Sequence, residues 1–82
     1  MPNIFLQRKA KLRLSYRSIA ISLNVQHGYV YRIMQNPGAT SNYAIIVRLG
    51  MALGMTRDEI ANEWIHLRIS HLVAQANKQA GV

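Results

Sequence analysis

Between residues 26 and 35 the chain reads QHGYVYRIMQ, a stretch whose side chains suit recognition of a hydrogen-bonding surface better than bond making. Arg32 carries a planar fork of N–H donors that grips two acceptors at once, on a base edge or on a phosphate. Gln26 offers a donor beside an acceptor, and His27 can do either. Tyr29 and Tyr31 join an apolar ring to a hydroxyl. Catalysis has little to draw on. Among 82 residues there is no cysteine, with three acids and three histidines. Disulfides, thiolate metal sites and cysteine nucleophiles are therefore excluded. Glu63-x-x-His66 lies on one helical face, as in half of a carboxylate-bridged metal site, but it reads as an exposed polar strip. His66 and His71, five apart, do not face each other. No metal, no cofactor and no enzymatic activity are expected.

Charge narrows the class of partner. Ten Lys and Arg stand against three acids, a net +7. The segment 1–57 holds Arg8, Lys9, Lys11, Arg13, Arg17, Arg32, Arg48 and Arg57 and no Asp or Glu. All three acids, Asp58, Glu59 and Glu63, follow it. That bias suits a polyanion, nucleic acid first and an anionic membrane surface second, against the plain alternative of a solvated basic surface. No apolar run approaches the roughly 18 residues of a membrane span. The apolar patch Ile4–Leu6 precedes the basic residues, the reverse of a signal peptide. A cytoplasmic, nucleoid-associated location is expected.

These residues need elements to hold them, and the punctuation predicts five helices and no strand pairs. A first helix runs over about 3–12, with a poorly marked end. Ser15 caps a second, whose Ile19, Ala20 and Leu23 recur at helical spacing. Asn24-Val25 breaks it. A third spans about 26–35 with Val30 and Ile33 inward, and Asn36-Pro37-Gly38 is a turn. A fourth opens at Thr40-Ser41-Asn42, turns Ile45, Ile46, Leu49 and Leu53 inward, and closes at Gly54. The capping box Thr56-x-x-Glu59 starts a fifth that reaches about residue 79. The fold class is all-α, with residues 1–56 as one unit and 57–80 as a C-terminal helix completing its core.

Residues 16–35 fit a helix-turn-helix. Ala20 is small where two helices touch, Ile19, Leu23, Val25, Val30 and Ile33 face a shared core, and Asn24 tolerates positive φ in the sharp turn. From Phe5 to Ile60 the chain resembles the lambda repressor/Cro-like (XRE) family of bacterial and phage regulators. The likeness rests on Leu12-x-Leu14-Ser15, Ile19-Ala20, Asn24-Val25, Val30-x-x-Ile33 and the stretch from Leu49-Gly50 to Met55-Thr56. Arg13 stands where the family often has Gly, and Met34 where it often has Glu, which removes an acid near DNA. The resemblance implies a five-helix, lambda-repressor-like DNA-binding domain, here with an extended last helix. It also implies transcription regulation, as a repressor more than an activator.

In such a motif the second helix lies in the major groove of double-stranded DNA. Gln26, His27, Gly28, Tyr31 and Arg32 are the expected base readers, with Arg32 suited to guanine O6 and N7. Gln26 reads a base or caps the helix. Gly28 allows close approach of backbone to DNA, or the helix starts one residue later. Tyr29 is the better core candidate of the two tyrosines, and His27 a polar contact rather than a pH switch. Tyr16, Arg17, Gln35, Asn36, Ser41 and Asn42 are expected at phosphates, with Lys9, Lys11 and Arg13 adding general attraction or forming a solvated face. On the last helix Ile60, Trp64 and Leu67 form one apolar arc, and Ile65, Ile69, Leu72, Val73 and Ala76 a second. The second arc predicts a partner, most simply a two-fold homodimer. An antitoxin-like module binding a protein through this helix, a peripheral membrane binder and an RNA binder are the competing readings.

Overall fold

Helix formation begins at Asn3, whose side-chain oxygen accepts from the Leu6 amide at 3.0 Å and starts α1 (Ile4–Lys11). The computed structural model describes residues 3–80. After α1 come α2 (Tyr16–Leu23), α3 (His27–Gln35), a turn of 3-10 helix (Pro37–Ala39), α4 (Tyr43–Ala52) and α5 (Arg57–Ala80). Among the described residues there is no strand. The fold is all-α with a long C-terminal helix, as the punctuation implies.

Three helices stop in one way. Arg13, Asn24 and Gly54 turn left-handed, with φ of 55°, 57° and 75°. The next amide then reaches back over the helix end. Leu14 donates to the Lys9 carbonyl at 3.1 Å, Val25 to Ala20 at 3.0 Å and Met55 to Gly50 at 2.9 Å. Each reversal drops an apolar side chain, Leu14, Val25 or Met55, against the core. The end of α1, poorly marked in the sequence, is thus set by Arg13 in a conformation that glycine adopts freely and that costs an ordinary residue about 1 kcal/mol.

Phe5, Ile19, Ala20, Leu23, Val30 and Ile33 meet Ile45, Ile46, Leu49, Leu53, Met55 and Ile60 in one core. No described polar or charged residue is buried in it. Met34 belongs to this core too, with 0% exposure. The expectation that it lies near DNA is therefore corrected: at that register α3 faces inward, and a carboxylate would be buried unpaired.

Helix α5 docks by close approach. A Cβ on Gly50 would lie 2.4 Å from Ile60 Cγ1, and one on Gly38 only 2.2 Å from the Leu67 carbonyl oxygen. The turn expected at Asn36-Pro37-Gly38 is present as one turn of 3-10 helix, and its buried Pro37 and Gly38 support α5. Trp64 Nε1 donates to the Thr40 carbonyl at 3.3 Å and Arg68 Nη1 to Gly38 at 3.0 Å. At the start of α5 the Thr56 amide donates to Glu59 Oε1 at 3.0 Å, and the Glu59 amide to Thr56 Oγ1 at 3.2 Å. Arg8 reaches from α1 to the same carboxylate at 2.6 Å.

Two outcomes follow from this docking. Gly38→Ala must move backbone rather than a flexible side-chain end, so it should cost about 1–3 kcal/mol and lower the thermal midpoint by roughly 4–8 °C per kcal/mol. An unchanged midpoint by circular dichroism would show that the contact is slack. The Thr56 amide, and then Arg8, hold the Glu59 carboxyl below its ordinary 4.5. A depressed carboxylate contributes stability above its unfolded-state value and loses it as pH falls through the folded one. Glu59→Gln should therefore flatten the fall in midpoint below about pH 5, read by melts across that range.

Candidate nucleic-acid interface

The candidate surface starts at Ser15. Its Oγ accepts from the Ser18 amide at 3.0 Å, while the Ser15 amide donates to Ser18 Oγ at 3.2 Å. This reciprocal cap, with serine where Glu or Gln is common, fixes the start of α2. Asn24 then reverses the chain, Gln26 leads into α3, and Ala20 and Leu23 pack with Val30 and Ile33. Arg48 Nη2 donates to the Leu23 carbonyl, placing a cation at the negative end of α2.

At 3.6 residues per turn, His27, Tyr31, Gln35, Gly28 and Arg32 occupy one arc of about 140° on α3. All five are exposed. Tyr29, Ile33, Val30 and Met34 fill the opposite arc, Tyr29 half-buried and the others buried. Gln26 is exposed at the cap position, but its side chain makes no capping bond, so the capping alternative is set aside. For Gly28 the alternative start, one residue later than about 26, is the one observed. Helix α3 begins at His27, and Gly28 lies in its first turn with nothing within 4 Å of where a Cβ would stand. Nothing inside the protein requires glycine there.

Arg17, Gln26, His27 and Gly28 line a shallow groove between α2 and α3 with Ile21 and Val25. Arg32 and Asn36 line another with Tyr29 and Thr40, and the Arg32 guanidinium stands 5.9 Å from the Tyr29 ring centre. Lys11 and Arg13 are exposed at the end of α1, and Ser41 and Asn42 before α4. The Asn42 side chain does not cap α4; its amide instead donates to Thr40 Oγ1 at 3.4 Å.

Tyr16 is where sequence reasoning saw least. It is half-buried at the start of α2, with Lys9 Nζ 4.2 Å from its ring centre and the Tyr31 ring edge-on at 5.1 Å. Its hydroxyl accepts from Gln35 Nε2 at 3.1 Å. No spacing rule joins positions 9 and 16 to the helical pair 31 and 35. Other cations are diverted to structural work: Arg8 pairs with Glu59, Arg48 with Leu23 and Arg68 with Gly38. Lys11, Arg13, Arg17 and Arg32 stay on the exposed side.

The two arcs of α5 separate as the spacing implies. Ile60 is buried and Trp64 and Leu67 are half-buried against the domain. Ile65, Ile69, Leu72 and Val73 are 50%, 56%, 46% and 52% exposed, and Ala76 is exposed beyond them. After Arg68 only His71 is even half-buried, up to Lys78. No helix among the described residues is long and apolar enough to cross a membrane.

Gly28→Ala fills open space at an ordinary helical residue. It should raise stability by about 0.5–1 kcal/mol, a few degrees in midpoint. A fall in midpoint would mean that the site is tighter than its geometry indicates.

No family model, no curated protein and no solved structure matches this chain.

Proposed function

We propose that this protein is a sequence-specific, double-stranded DNA-binding transcriptional regulator, a repressor that acts as a homodimer on a two-fold operator in the cytoplasm. One observation carries the reading. The outward arc of α3, from His27 to Arg32, is exposed on a segment whose fixed charges are all positive. Arg32 supplies bidentate recognition of guanine, and Gln26, His27 and Tyr31 supply neighbouring base contacts. Gly28 lets the helix backbone come close to the duplex. Arg17, Lys11, Arg13, Asn36, Ser41 and Asn42 are exposed as well and serve the phosphates, together with Gln35 at the end of the arc.

The exposed arc of α5 supports the dimer. Apolar side chains half open to water along a helix that leaves its domain gain most from a second copy, and a two-fold pairing closes the surface. Two α3 helices then sit one DNA turn apart, about 34 Å. An antitoxin-like role uses the same arc for a different protein. Ile69→Asp separates the readings. It should yield monomers in sedimentation and weaken operator binding if the partner is a second copy, and change neither if it is another protein.

Selection of bound duplexes from a random pool, followed by gel shift, tests the function. The wild-type protein should enrich one site with two-fold symmetry, and its affinity should fall linearly on a log–log plot against salt. Arg32→Ala should lose about 1–3 kcal/mol on that site, or roughly 5- to 150-fold, with little change on unselected DNA. Failure to retain any duplex at low salt sinks the proposal.

A further inference from the structure

Four side chains from three helices converge on one ring. Lys9 comes from the last turn of α1, Tyr16 opens α2, and Tyr31 and Gln35 lie one turn apart on the outward arc of α3. The contacts use different parts of Tyr16. The ammonium of Lys9 lies over the ring at 4.2 Å, the ring of Tyr31 meets it at 67° with centres 5.1 Å apart, and Gln35 Nε2 donates to its hydroxyl at 3.1 Å. Tyr16 is half-buried, whereas Tyr31 and Gln35 are exposed. Exposed side chains ordinarily sample many rotamers, and ordering them on binding reduces affinity. Here two members of the recognition arc are already held by a residue on another helix.

We propose that Tyr16 is a positioning residue for the reading helix: it presets Tyr31 and Gln35 and holds the Lys9 charge beside them. This rests on the DNA-binding reading of α3 and extends it. Gln35 uses the Tyr16 oxygen as an acceptor, and Lys9 and Tyr31 meet its ring; a phosphate contact through the Tyr16 O–H is the competing role that the test separates. A positioning residue acts on the difference between the correct site and other DNA, because only the correct site uses the preset geometry. A phosphate contact would weaken all duplexes alike.

The test uses Tyr16→Phe, which keeps the ring and loses the acceptor for Gln35, and Tyr16→Leu, which loses both. Probes are the duplex that the wild-type protein enriches from a random pool and an unselected duplex of equal length. Affinity for the selected duplex should fall by about 3-fold in the Phe variant and about 30-fold in the Leu variant, with unselected binding within about 2-fold and the salt slope unchanged. Parallel losses on both duplexes with a shallower salt slope, or no loss on either, would overturn the assignment. A second measurement needs no DNA. Thermal midpoints of Tyr16→Phe, Gln35→Ala and the double variant should be non-additive, since the two single changes break the same contact. Additive shifts would overturn the positioning role. If no duplex is enriched while the midpoints stay non-additive, the Tyr16 hub stands and the DNA-binding reading alone fails.

Discussion

The direction in which α3 leaves α2 depends on one residue in the left-handed region. At Asn24 the backbone turns at φ 57°, and the Val25 amide bonds back to the Ala20 carbonyl. A right-handed residue there would carry α2 onward into solvent. The reversal instead drops Val25 against the core and brings Val30 and Ile33 beside Ala20 and Leu23. Once that face of α3 is in place, helical geometry sends His27, Gly28, Tyr31 and Arg32 the other way. Asn is among the few side chains that tolerate this conformation without much strain, and Arg48 binds the carbonyl of Leu23 just before it. The same device ends α1 at Arg13 and α4 at Gly54, so the whole helical path is folded back on itself by three short reversals.

Helix α5 is governed by a different constraint, the absence of a side chain at two places. Gly38 and Gly50 let the Leu67 backbone and the Ile60 side chain come within distances that a Cβ forbids. Bonds from Trp64 and Arg68 to the carbonyls of Thr40 and Gly38 then tie the middle of the helix to the buried 3-10 turn. A helix held so closely along one side presents its other side outward. Residues 69–78 run past this attachment, which is why the apolar arc centred on Ile69 stays open to water.

Much of this was legible in the sequence, and the legible parts share a cause. Ser15, Gly54 and the Thr56–Glu59 pair act on atoms within a few residues of themselves. The inner faces of α2 and α4 and the outward arc of α3 follow from a fixed turn per residue. Where the reading went astray, a distant partner decided. Met34 looked like a replaced acid near DNA, yet Asn3 Nδ2 bonds its carbonyl at 2.8 Å and its side chain fills the core. The turn at Pro37-Gly38 lies where the sequence puts it, but the distant backbone of Leu67 decides that α5 rests on it. Gln26 offered a cap that the local geometry does not use.

The chain alone thus determined helix number and type, most helix limits, the apolar and polar faces, and the charge asymmetry between residues 1–57 and the acids that follow. All of these depend on bonds and periods that span five residues or fewer, or on counting. Only the tertiary structure decided that Arg13 must turn left-handed, that Gly38 sits under Leu67, which cations are diverted to carbonyls and Glu59, and that Lys9, Tyr31 and Gln35 gather on Tyr16. Apart from the turn at Arg13, those outcomes join residues from 7 to 51 positions apart, and no local rule specifies which faces will meet until the helices have packed.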